Sequence, residues 1–233
     1  MPRKLFDHEL EELVREMTDL GNTVDDRFEK TIECLRTVDI AKYVAEHDHE
    51  IDRKEHKTEI LCLNLIALQQ PIAKDLRMIA ACLKILTDIE REGDQCADVC
   101  EILSTGQVYG NSLIVSKIIQ MMEAARDMFR RAMDVFISRD VEEAKDICAS
   151  DDYVDNLFSK VILEISSTIA QSSNVMGDVD LLLITKYAER MADHATNIAE
   201  WVIYIETGEH PDLNKHELSS PYVRAGNDSE EES

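Results

Sequence analysis

Apolar residues along this chain step by threes and fours almost throughout, which is the spacing of one face of an α-helix. Phe6, Leu10, Leu13, Met17, Leu20, Val24, Phe28, Ile32 and Leu35 predict one long first helix, with Gly21 tolerated inside it. Asp39 is a good N-cap for a second helix reaching about Gln70, and Pro71 ends it. A third helix is expected to about Thr105, where Gly106 and the Gly110-Asn111 pair mark a break. The plan then repeats. A fourth helix runs from about Ser112 to Ser138, Asp140 caps a fifth to about Gln171, and Ser172-Ser173-Asn174 forms a turn. A sixth runs from about Asp178 to Thr207, with Gly208 as its stop.

Six long helices in two sets of three predict an all-α fold of two tandem three-helix bundles. The expected units are 1–108, 109–210 and a disordered acidic tail over 211–233, which ends Asp228-Ser-Glu-Glu-Glu-Ser233. Only 7 Gly and 4 Pro occur in 233 residues, too few for a turn-rich β fold.

Charge narrows the function. The formal net charge is −23, so the surface repels nucleic acid and anionic lipid and favours cations. No run of 18 apolar residues predicts a membrane span, and the charged, amphipathic stretch from Met1 to Leu20 does not read as a leader. Cysteines 34, 62, 82, 96, 100 and 148 mostly fall in apolar helical patterns, as reduced core residues of a cytoplasmic protein do. Cys96 and Cys100 are one turn apart, a spacing open to a soft metal, but no second thiol or histidine pair lies nearby in sequence.

Four acid pairs are spaced four residues apart: Asp48/Asp52, Glu90/Asp94, Asp151/Asp155 and Glu189/Asp193. Each pair shares a helix face, where like charges are mildly destabilising. Their register is informative. Asp48 with Asp94 and Asp52 with Glu90 both centre on Pro71, while Asp151 with Asp193 and Asp155 with Glu189 both centre on Ser172. Residues equidistant from the turn of an antiparallel hairpin lie side by side, so four carboxylates are expected at one level in each half. Leu83 and Leu182 lie one heptad before Glu90 and Glu189, so the acids continue an apolar stripe. With no Lys or Arg evident on that shared face, such a group calls for a multivalent cation, and all-oxygen ligation suits ferric iron, Mn²⁺, Mg²⁺ or Ca²⁺. We expect two similar metal sites, one per half.

Neighbouring residues add little. Asp98 and Asn197, one turn further on, are oxygen ligands by type and could complete a site or face solvent. His194 points about 100° away from Asp193 and reads as a structural or surface histidine, as do His47 and His49 beside Asp48. A carboxylate-bridged di-metal enzyme on a helical bundle is the alternative reading. Such sites typically carry Glu-x-x-His pairs, and only Glu46/His49 fits among the helical histidines. No nucleophile–base pair and no phosphate-binding Gly-rich loop is evident, so an enzyme is not expected.

Three stretches resemble the PhoU family of phosphate-transport accessory proteins. Leu68-Gln-Gln-Pro-Ile-Ala-Lys-Asp-Leu-Arg-Met78 and Asp88-Ile-Glu-Arg-Glu-Gly-Asp94 look like its first repeat. Tyr187-Ala-Glu-Arg-Met-Ala-Asp-His-Ala-Thr-Asn-Ile-Ala-Glu-Trp201 looks like its second. The resemblance covers about residues 5–210. It implies tandem three-helix, PhoU-like bundles whose acidic motifs bind multinuclear metal: iron foremost, with Mn, Mg or Zn as alternatives. Asp48, Asp52, Glu90 and Asp94 would hold one cluster; Asp151, Asp155, Glu189 and Asp193 would hold the other. It implies a negative regulator of phosphate uptake and starvation signalling that links the ATPase of a phosphate ABC transporter to a sensor histidine kinase. It also implies a homodimer, cytoplasmic and peripheral at the inner membrane through its partners. One residue departs from the pattern: Glu92 stands where the family usually has an apolar side chain. It lies about 200° around from Glu90 and is not expected to join that cluster.

Overall fold

The computed structural model describes residues 3–37, 41–46, 49–106, 113–211 and 213. Seven α-helices follow in order among them: α1 (Arg3–Thr37), α2 (Ala41–Glu46), α3 (His49–Gln69), α4 (Ala73–Ser104), α5 (Leu113–Ser138), α6 (Val141–Thr168) and α7 (Val175–Thr207). No strand is found among the described residues. The expected second helix is described as two, α2 and α3. Asp39 as a cap, Asp48, His47, the Gly110-Asn111 break and the tail from 214 lie outside the described residues.

The helix ends follow local chemistry. Between α3 and α4, Gln70 and Ala73 take left-handed backbone (φ 49° and 48°) on either side of Pro71, whose missing N–H cannot continue α3. Asp140 caps α6 by accepting from the backbone N–H groups of Glu142 (3.0 Å) and Glu143 (3.2 Å). Asn174, rather than a residue near Asp178, starts α7, its side chain accepting from Gly177 N at 3.1 Å; a 3-10 turn, Ile169–Gln171, precedes it. Gly208 closes α7 in the left-handed region at φ 84°, where a side chain would be strained and would also meet Arg77.

The apolar stripes of all the long helices meet in one continuous core that includes Leu13, Met17, Phe28, Ile51, Ile85, Ile89, Phe129, Phe136 and Ile184. All six cysteines are free and buried. Gly93 lets α3 come close to α4: a Cβ there would lie 2.7 Å from Ile51 Cδ1.

Across the two sets, equivalent helices pair antiparallel. On α1 and α5, Asp25 receives two bonds from Arg126 (2.7 and 3.0 Å) and Arg36 reaches Glu123 at 2.6 Å. On α4 and α7, Lys74 pairs with Glu206 (3.0 Å), Arg77 Nε donates to the Ile205 carbonyl (3.0 Å), and Asp88 meets His194 (2.9 Å). The two sets therefore face each other about a local two-fold, with both hairpins hung on the α4–α7 contact.

Candidate functional site

The second hairpin folds in the predicted register. Cys148 Sγ reaches the Thr196 carbonyl at 4.0 Å, and these residues are equidistant from Ser172. Asp151 (6% exposed) and Glu189 (7%) are buried, and Asp155 and Asp193 are half-buried. Burial pushes the Glu189 carboxyl up, the Lys186 ammonium pulls it back, and the charges of Asp193 and Asp155 push it up again. Three of the four predicted acids thus act on one another. Asp151 sits one turn before Asp155 on α6, and its charge helps raise the Cys148 thiol, whose burial is the larger cause.

Lys186 corrects one expectation. A cation does lie on the motif's face: its ammonium pairs with Glu189 and stands 5.5 Å over the Phe158 ring. At three residues before Glu189 on α7 it is within reach, and its flexible stem decides that it gets there.

In the first hairpin, Gly93 against Ile51 centres on residue 72, one position from the register read off the sequence. Asp52 is exposed and lies 3.8 Å from His49; Asp94 is exposed and Glu90 is half-buried. Glu55, absent from the predicted set, is central. Burial raises its carboxyl, and Glu59, Glu90 and Asp52 raise it further, against His56. The signal was present, since Glu55 follows Asp52 by three residues on the same helix face.

By donor chemistry both clusters fit a hard cation. The predicted ligands are carboxylates alone, neighbouring acids raise Glu55 in the first group and Glu189 in the second, and in the second a positive group already sits on Glu189. Among the described residues no three His, Cys, Asp or Glu side chains close on one point, so ligation requires these side chains to turn toward an ion. The same holds for Cys96 and Cys100.

The residues flanking the motifs serve the α4–α7 contact instead. His194 is 6% exposed and its Nδ1 bonds Asp88 Oδ1 at 2.9 Å, which makes it a structural histidine. Asn197 donates to the same oxygen at 3.3 Å rather than offering one to a metal. Asp98 hydrogen-bonds the Tyr187 phenol. Glu92 stays out of the Glu90 cluster, as its angle predicts, but is fully buried on the opposite face of α4. Burial drives its carboxyl far up, with Asp88 and Asp193 adding to the effect.

Comparison with known proteins places this architecture. The PhoU domain model matches twice, over residues 17–103 and 118–202. A phosphate-specific transport system accessory protein PhoU homolog of Clostridium acetobutylicum is 32% identical over 218 residues, 92% of this chain and 100% of that protein. The homolog of Streptococcus pneumoniae is 30% identical over 217 residues, 91% of this chain and 100% of that protein. The crystal structure of the phosphate transport system regulatory protein PhoU from S. pneumoniae superposes with a TM-score of 0.82 at 28% identity, covering 89% of this chain and 99% of that one. That of PhoU from Pseudomonas aeruginosa gives 0.83 at 25% identity, covering 88% and 100%. With its helices, its two matched repeats and relatives matched over their whole length in agreement, the chain belongs to the PhoU family.

Proposed function

We propose that this protein is a regulator of phosphate transport that restrains phosphate uptake and starvation signalling, acting through protein contacts rather than catalysis. The observation that carries this reading is the double match to the PhoU domain, supported by full-length relatives whose names assign them to the phosphate-specific transport system. The finer parts of the reading are a link from the transporter ATPase to a sensor histidine kinase, a homodimer, and a cytoplasmic place beside the inner membrane. No helix among the described residues is long and apolar enough to cross a membrane, which accords with a peripheral place. Loss of the gene is expected to raise alkaline phosphatase expression in high phosphate; unchanged expression rejects the repressor role. Wild-type pull-down of the ATPase subunit tests the partner.

The metal part of the proposal assigns Asp48, Asp52, Glu90 and Asp94 to one site and Asp151, Asp155, Glu189 and Asp193 to the other, with Glu55 beside the first. Iron is the foremost candidate and Mn, Mg or Zn the alternatives. A bound cation supplies positive charge that lets the acids share one level without repulsion. The protein's part is to hold two carboxylate-bearing helices side by side and to partly bury Glu189 and Asp151, so that the charge is felt through a less screened medium. Protein purified without chelators is expected to carry metal that the Glu90→Ala/Asp94→Ala/Glu189→Ala/Asp193→Ala variant lacks; equal content in both rejects the assignment.

A further inference from the structure

Residues 60–73 hold no charged side chain, in a chain that is 31% charged. They form the second half of α3, the bend at Pro71 and the start of α4. Their apolar side chains face outward as well as inward. Ile60, Leu63 and Ala67 follow at helical spacing on the face of α3 opposite the buried Thr58, Cys62 and Leu65, and all three are exposed. Leu68 is 73% exposed and Ile72 77%. On α4, Leu76 and Ala80, one turn apart, are exposed as well. The first hairpin therefore ends in an apolar patch, which a soluble monomer normally keeps small.

Packing within the chain does not call for these side chains. At the offset that relates Glu90 to Glu189, the places of Ala67, Leu68 and Ile72 are taken in the second repeat by Ser166, Ser167 and Gln171, all exposed. The second hairpin keeps its register with polar residues there. Its bend does expose Leu163, Val175 and Met176, but the serines, Thr168 and Asn174 lie between them. A single exposed leucine needs no explanation. A cluster of apolar side chains at one of two matching bends, with serines at the other, points to a contact outside the chain.

We propose that this end of the α3–α4 hairpin is where two copies of the chain meet, each supplying the same patch about a two-fold axis. The inference rests on the homodimer reading above and names its face. Charge chooses the occupant. A cationic partner is drawn to the acidic surface and gains little from an uncharged patch. A second copy also carries −23, and it meets least repulsion where the contact holds no charge. Glu59 and Lys74 bound the stretch, and Lys74 is already paired with Glu206 at 3.0 Å. Glu90 stands about 27 Å from Ile72 along α4, at the helical rise of ~1.5 Å per residue. That is well beyond the screening length of ~8 Å at physiological salt, so the acidic clusters of the two copies stay apart. Shape suits the contact too. The small Ala67 and Ala80 lie beside Leu63, Leu68 and Leu76, leaving recesses that accept the same leucines from the other copy.

Analytical ultracentrifugation of the full chain over the micromolar range, at low and high NaCl, tests this. The wild type is expected to show a monomer–dimer equilibrium. High salt is expected to strengthen the dimer, because screening weakens the repulsion between two chains of −23. Leu68→Asp/Ile72→Asp is expected to weaken it at least ~100-fold, as the loss of two apolar anchors in each copy does, with helix content and melting unchanged. Leu68→Ser/Ile72→Gln, which copies the second repeat without adding charge, is expected to weaken it in the same direction. Leu163→Asp/Met176→Asp, the matching change at the second bend, is expected to leave it as in the wild type. A dimer that survives both sets of changes at Leu68 and Ile72, or that high salt weakens, overturns this face and leaves the homodimer standing. A wild-type chain that stays monomeric under every condition overturns the homodimer reading and the face with it. If that monomer captures the transporter ATPase and the Leu68→Ser/Ile72→Gln variant does not, the patch belongs to the ATPase and the proposal is equally overturned.

Discussion

At the scale of single residues, burial decides character more than residue type does. Two of the buried thiols illustrate it. Burial pushes Cys62 and Cys148 up to about 12, with Glu59 adding to the first and Glu200 to the second. A thiol that stays protonated and enclosed is a packing residue, not a nucleophile. Cys62 and Cys148 should resist alkylation at pH 8 in native protein and react on unfolding, as peptide mapping after timed alkylation checks. The linkage sign follows. The unfolded thiol ionises near 9 and the native one near 12, so the native state holds a proton that the unfolded state has lost. Stability contributed by the neutral thiol is fully present below pH 9 and is lost as pH rises toward 12. Cys148→Val should remove up to about 1.4 kcal/mol per pH unit from that alkaline loss, as urea midpoints of the two proteins between pH 9 and 11 would show; parallel curves would count against it.

At the scale of elements, a few end residues set where helices start and stop, and the site depends on them. The level at which Asp155 meets Glu189 is fixed by how α6 ends and α7 begins. Asp140→Ala leaves two N–H groups of α6 unserved and should cost about 1 kcal/mol. Gly208→Ala adds a Cβ where φ is 84° and Arg77 Nη1 would be 2.8 Å away, so about 1–2 kcal/mol is expected from backbone strain plus displacement of Arg77. Chemical denaturation measures both, and a neutral Gly208→Ala would mean that the turn relaxes freely.

At the scale of the whole molecule, the antiparallel pairing of α1 with α5 and of α4 with α7 binds the two repeats into one core. Charge works against compactness in a chain of net −23, so the cations that bridge the repeats matter individually. Arg126 is the clearest case. It lies on α5, is held in place by Asp25 and Glu29 on α1, and its side chain is only 21% exposed. Arg126→Ala should destabilise by about 1–2 kcal/mol, as a charge-assisted pair does, and more at low salt than at high salt because screening weakens the pair in the wild type. A salt-independent difference would show that the loss is of packing alone.

The division between sequence and structure follows range. Helix class and most ends could be read directly, because the 3.6-residue period, Asp140, Pro71 and Gly208 act within a few residues of themselves; the division of the expected second helix into α2 and α3 was not. The register of the second hairpin was legible for the same reason: a short turn between two straight helices leaves one natural alignment, and Cys148 against Thr196 obeys it. What lay beyond reach was whatever one repeat does to the other. Glu92 and His194 could be given an angle on their own helices but not a neighbour on the facing one, since Asp193 reaches Glu92 and Asp88 reaches His194 only through the α4–α7 contact. Lys186 and Glu55 were missed on a finer scale: both sit on the right helices, but where a flexible side chain ends is settled by the packing around it. Periodicity determines which face a helix turns inward; only the folded chain decides what that face meets.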